Sequence, residues 1–253
     1  MSLNSISPID GRYEKYTKDL APYFSESAWM RYKLLMECEY LIALSEEGIM
    51  RKLDAKEKTL LKKLYGNFSL EDAEIVSAYE MKGYKNIKAT NHDGKALEYW
   101  MKDKLLGTSL SGTLEFVHFG LTTEDASNIA YALIISESLT SVVIPEISKI
   151  ISELNSLADK NKNVPMLART HGQPASPTTF GKEMRIFASR LEKGLEKLRS
   201  IEIEAKLNGA TGNYNGLYAA CPEIDWIKFS EKFIKSFKLK PNLLTTQIEN
   251  HDS

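Results

Sequence analysis

Four histidines stand in polar, turn-like settings and not on apolar stripes: His92, His118, His171 and His251. Imidazole gives and takes protons near neutral pH, so the placement invites acid–base chemistry, although a single histidine is more often structural than catalytic. His171 lies in Arg169-Thr170-His171-Gly172-Gln173-Pro174-Ala175, a polar run leading into a long helix that begins near Thr178. A loop held by a rigid bundle exposes a side chain in a fixed orientation. An ordinary capped loop is the competing reading. No HExxH, no HxH and no second histidine within a helical turn accompanies it, so no metal site is expected.

Two further segments have the residue types of anion sites. Thr90-Asn91-His92-Asp93 precedes a helical segment from Lys95 to Leu106, so Thr90 or Asn91 can cap it and leave backbone amides facing outward. Thr122-Thr123-Glu124-Asp125 starts a longer helix, where two hydroxyls and the first-turn amides suit a phosphate or carboxylate. Both are also what any helix start requires. Gly209-Ala210-Thr211-Gly212-Asn213-Tyr214-Asn215-Gly216 lets the backbone turn sharply and approach a ligand. Without GxGxxG after a strand, or GxxxxGK[ST], it is not a nucleotide fingerprint.

The elements that must hold these segments read as helices, and the fold class is all-α. One helix is expected from about Ser25 to Glu47, with Gly48 as its left-handed terminator. Asp54 caps Ala55 to Tyr65, Gly66 ends it, and Ser69 with Asp72 resembles a loose capping box for the next helix. From Thr123 the apolar positions Ile129, Leu133, Leu139, Val143, Ile147, Ile150, Leu154 and Leu157 continue a long bundle helix that Pro145 should kink or divide. Lys182 to Leu207 forms a second, with an apolar stripe opposite Arg, Glu and Lys. Asp225 to Leu239 is a shorter amphipathic helix. The expected division is a small helical N-terminal domain, 1–110, followed by the first part of a central helical bundle, 111–253. No alternating strand pattern, internal repeat or low-complexity tract is found.

Composition narrows the partners. The 33 Lys plus Arg nearly cancel the 34 Asp plus Glu, so no net basic field attracts nucleic acid or an anionic membrane, and an anionic ligand must be met locally. Cys38 and Cys221 lie far apart and form no CxxC unit, which favours a reducing compartment and a cytoplasmic location. Met1 to Arg12 lacks a targeting pattern, and no later segment reads as an unbroken membrane span.

At these residues the chain resembles the fumarase and aspartase superfamily, and within it the adenylosuccinate lyases of bacterial type. Ser7-Pro8-Ile9-Asp10-Gly11-Arg12-Tyr13, Thr90-Asn91-His92-Asp93, Phe116 to Asp125, Arg169 to Ala175 and Gly212-Asn213-Tyr214 follow the order of that family's motifs. The resemblance implies a β-elimination without metal or redox cofactor. Adenylosuccinate would give AMP and fumarate, and the succinyl-carboxamide ribotide of purine synthesis would give its carboxamide and fumarate. A base removes the proton next to a carboxylate, charge spreads as an aci-carboxylate, and a general acid protonates the leaving nitrogen.

By this resemblance His171 is the general acid. Arg12, Tyr13, Asn91, His92, Asp93, Thr122, Thr123 and Gln247 contact substrate, and His118 lies near the site. Thr123 stands where relatives have Ser, which keeps the hydroxyl. The family's glycine- and serine-rich loop, with the serine proposed as carbon base and a substrate-holding lysine, is expected after Ser253. The chain therefore reads as a fragment, inactive alone. The resemblance also implies a homotetramer with sites built from three subunits. Two rivals stand beside this reading: another superfamily lyase such as argininosuccinate lyase, aspartase or fumarase, and a non-catalytic helical fragment that only self-associates.

Overall fold

The computed structural model describes residues 7–252. Met1 to Ile6, part of the segment inspected for targeting signals, and Ser253 lie outside the described residues. The chain divides into two compact units, one of residues 1–136 with 203–253, the other of residues 137–202.

The larger unit is built around α1 (Glu26–Glu46), capped by Ser25, whose hydroxyl accepts from the Ala28 amide. Tyr32, Leu34, Met36, Cys38, Tyr40, Leu41 and Leu44 are all fully buried, so this helix is covered on nearly every side. Against it stand α2 (Ala55–Gly66) and α3 (Leu70–Met81), each opened by a reciprocal capping box, Asp54 with Glu57 and Ser69 with Asp72. Then come α4 (Asp93–Leu105) and the start of α5 (Thr123–Ser138). The short α8 (Asn215–Ala220) and α9 (Trp226–Ser236) complete the unit, and Trp100 and Trp226 are wholly buried in its core.

The smaller unit pairs α6 (Ile144–Lys160) with α7 (Phe180–Ser200). A π turn, Leu139–Val143, precedes α6, and Pro145 sits in the first turn of α6. Proline cannot donate to the carbonyl four residues back, and the hydrogen-bond ladder shifts register before it.

Three expectations need correction. The segment leading to α7 is not a loop but an antiparallel hairpin, β1 (Pro165–Thr170) with β2 (Gln173–Thr179), so the helical fold carries a small ribbon. A two-stranded ribbon has only edges, which is where proline is tolerated, and exposure of both faces removed any alternation from the sequence. The second long helix ends at Ser200 and not near Leu207. Residues 203–209 run extended through the larger unit, where β3 (Glu204–Ala205) pairs in parallel with β4 (Lys240–Pro241). Finally, Thr123–Lys160 is long and apolar enough by length and composition to cross a membrane. Its first half places Ala126, Ile129, Ala130 and Leu133 in the larger unit's core, the position of a core helix.

Candidate active site

The loop before α4 is fixed at both ends. The Asn91 amide donates to the Glu80 carbonyl with Asn91 in the left-handed region, φ +48°. His92, and neither Thr90 nor Asn91, is the cap: its Nδ1 accepts from the Lys95 amide at 3.1 Å. The ring proton therefore sits on Nε2, which faces Thr123 Oγ1 at 3.4 Å. Asp93 Oδ1 takes the Gly94 amide at 2.7 Å and Oδ2 takes Lys33 Nζ at 2.7 Å. Partial burial pushes the Asp93 carboxyl up, but the Lys33 hydrogen bond and charge outweigh it and hold the group below its ordinary range. Two α4 amides expected to face outward are thus already satisfied within the chain.

The start of α5 meets this loop. A side chain at Gly94 would come within 3.1 Å of the Thr123 methyl, so glycine lets the two helix starts approach. Asp125, fully buried, accepts from the Thr122 amide at 2.9 Å and from the Asn208 and Gly209 amides at 3.1 Å each. It also pairs with Lys206 Nζ at 3.0 Å, and that ammonium donates to the Gly209 carbonyl. Asn128 closes the arrangement by exchanging two hydrogen bonds with the Lys206 backbone. The extended segment 203–209 is thereby clamped to α5, which explains why it is not helical.

His118 sits four residues before Thr122, with φ +60°. Its Nδ1 lies 2.6 Å from Oε1 of Glu37, a buried residue of α1. Burial disfavours the charged imidazole, yet the Glu37 charge and hydrogen bond prevail and raise the His118 pKa. Lys33 and Glu37 are one helical turn apart, so α1 supports both the His92–Asp93 loop and the His118 loop.

Gln247 is exposed, on a segment tied to the start of α5 by the Glu249 amide, which donates to Glu124 Oε1 at 3.2 Å. Gly212, at φ +77°, packs so closely on that segment that a Cβ would lie 2.1 Å from the Thr245 carbonyl oxygen. The structure therefore gathers His92, Asp93, Thr122, Thr123, His118 and the Gln247 segment in the larger unit. Arg12 and Tyr13 belong to an exposed turn closed by the Tyr13 amide on the Pro8 carbonyl, and no bond among the described residues ties them to that cluster. His171 occupies the tip of the β1–β2 hairpin in the smaller unit, exposed, with positive φ at His171 and Gly172. That is the two-residue turn whose twist matches a hairpin. His251 is exposed on the last described residues.

The sequence profile of the family described as Lyase matches residues 11–253. The chain belongs to the lyase family. Among curated members, it is 43% identical to "Adenylosuccinate lyase" of Legionella pneumophila strain Corby over 255 residues, which is 99% of this chain and 54% of that protein. It is 43% identical to the protein of the same name from Dictyostelium discoideum, over all of this chain and 55% of that one. The chain spans about half the length of the curated relatives it matches. Among solved structures, a fumarate lyase from Mesorhizobium sp. BNC1 aligns with TM-score 0.72 at 19% identity, covering 90% of this chain and 49% of that one. A beta-carboxy-cis,cis-muconate cycloisomerase from Acinetobacter calcoaceticus sp. ADP1 aligns with TM-score 0.70 at 22% identity, covering 90% and 50%. These two establish the shared fold.

Within this lyase chain, sequence reading missed the residues behind the site. Lys33 and Glu37 were hidden in the apolar run of α1, where two charges at i and i+4 were the available signal. Lys206 and Asn128 carried no signal, because their role depends on a strand contact that helical periodicity conceals.

Proposed function

We propose that this chain is part of an adenylosuccinate lyase, releasing fumarate by β-elimination from adenylosuccinate and from the succinyl-carboxamide ribotide of purine synthesis. The observation that carries the reading is 43% identity, along essentially the whole chain, to proteins of that name from both a bacterium and an amoeba. The structural neighbours, which carry other names, stand at about half that identity.

In this reading the His92–Asp93 loop, Thr122 and Thr123 hold the anionic parts of the substrate. Asn91, Gln247, Arg12 and Tyr13 add contacts, and Arg12 brings a forked donor suited to phosphate or carboxylate. His171 is the general acid. Its turn presents the imidazole at the tip of a short antiparallel ribbon, where a substrate nitrogen can reach it. His118 is a neighbour of the bound substrate. The elimination needs no metal or redox group, the assembly is a homotetramer with sites drawn from three subunits, and the protein works in the cytoplasm.

The test is release of fumarate, followed by its absorbance, from adenylosuccinate by the full-length protein. Turnover expected on adenylosuccinate but found only on argininosuccinate, aspartate or malate would replace this reading with that of another lyase of the superfamily.

A further inference from the structure

Helix α1 is covered on nearly every side, mostly by apolar packing, yet it buries two charges four residues apart, Lys33 at 3% and Glu37 at 6% exposure. A helix that only had to pack would carry apolar side chains at both positions, because an ionised group taken from water is costly unless it is paired. The two do not serve each other. Lys33 donates to Asp93, and Glu37 reaches the His118 loop across 2.6 Å. Among the described residues the second Glu37 oxygen is buried without a partner, and the hydrogen bond to the His118 imidazole is the one given for this carboxyl.

The histidine end is equally constrained. His118 stands at φ +60°, in the left-handed region that histidine enters more readily than most non-glycine residues, and its ring is fixed by the contact with Glu37. A carboxylate can only accept, so the proton between the two groups belongs to Nδ1. Nε2, on the other edge of the ring, makes no hydrogen bond among the described residues.

We propose that Glu37 is a positioning residue that locks His118 with its ring proton on Nδ1 and so offers Nε2 to the substrate. This rests on the reading of His118 as a neighbour of the bound substrate. The arrangement is economical in geometry: Lys33 fixes Asp93 from the same face one turn earlier, so a single rigid helix sets the height of both loops.

The experiment has a structural arm and a kinetic arm. In the structural arm the chain is labelled with ¹⁵N-histidine and the ring nitrogens are read by NMR at a pH where the imidazoles are neutral. His118 is assigned by the signal lost in His118→Gln. The parent is expected to show His118 as the Nδ1–H form. Glu37→Gln, whose amide oxygen still accepts, should keep that form, whereas Glu37→Leu should turn the ring to Nε2–H. An Nε2–H ring in the parent, or an unchanged ring in Glu37→Leu, overturns the proposal. Should Glu37→Leu not fold, the parent and Glu37→Gln still decide.

In the kinetic arm, full-length Glu37→Leu should lose about ten- to a hundredfold in kcat/KM, the worth of one charge-assisted hydrogen bond, and Glu37→Gln should recover most of it. An active enzyme in which Glu37→Leu stays within about twofold refutes positioning, since that is below the worth of any such bond. A full-length protein that releases no fumarate while His118 behaves as expected refutes the proposed activity and leaves the Glu37 lock standing.

Discussion

Asp125 and Lys206 meet at 3.0 Å with neither side chain exposed to solvent. The pair joins the start of α5 to the extended segment 203–209, together with the Asn208 and Gly209 amides on the same carboxylate. Removing one partner leaves a buried charge, which costs about 3–5 kcal/mol, whereas replacing both by apolar groups of similar volume is often neutral. Lys206→Met should therefore lower the unfolding free energy of the chain by that amount in urea. The double variant Asp125→Asn with Lys206→Met, which removes both charges and keeps a side-chain oxygen to accept from the backbone amides, should recover part of the loss. A single variant as stable as the parent would show that the pair does not hold the segment.

That clamp also marks where the sequence stopped being readable. Capping residues announced the starts of α2 and α3, because Asp54 and Ser69 act through bonds no more than three residues long, and the Ser25 cap of α1 is equally local. The loops of the candidate site were legible as polar breaks between apolar runs. Their supports were not: Glu37 lies 81 residues from His118, and Asn128 lies 78 from Lys206. The β1–β2 ribbon escaped because exposure on both faces and three prolines erase the period-two signal that marks a strand.

The Arg51–Glu57 pair predicts how stability depends on acid. Arg51 Nη2 and Nη1 bond the two Glu57 oxygens at 2.7 and 2.9 Å. That hydrogen-bonded pairing, aided by the Asp54 amide and opposed by burial, lowers the Glu57 pKa from 4.5 to about 2. A carboxyl depressed in the folded state stabilises it above the ordinary value, and the contribution disappears as pH falls through the folded value. Because Arg51 is nearly half exposed, solvent screening reduces the contribution to about 1–2 kcal/mol. Glu57→Gln should thus melt below the parent near neutral pH, with the gap narrowing as pH drops from about 4.5 toward about 2. A gap that stays constant through that range would remove Glu57 as its source.

Self-association follows from the smaller unit. Ile150 and Leu157 on α6, with Ile186, Phe187 and Leu191 on α7, are all more than a third exposed in the single chain. Apolar side chains at this density on paired helices mark an interaction surface. Light scattering at micromolar concentration should give a mass above that of one chain, and Phe187→Glu with Leu191→Lys should move it toward the monomer. A clean monomer for the parent chain would count against this surface as an interface.

His171 allows the sharpest test, because its backbone and its chemistry can be separated. At φ +49°, in a turn completed by Gly172, alanine would add backbone strain to the loss of the imidazole. Asparagine tolerates the left-handed region, so His171→Asn keeps the turn and removes the proton donor. The residue is exposed at the hairpin tip, and the variant chain should melt within about 0.5 kcal/mol of the parent, as surface changes away from special features do. In the full-length protein, loss of a general acid should lower kcat by about two to four powers of ten while leaving substrate binding nearly unchanged. A rise in KM at constant kcat would make His171 a substrate contact instead. A folded, assembled variant with kcat within about threefold of the parent would end its assignment as the acid.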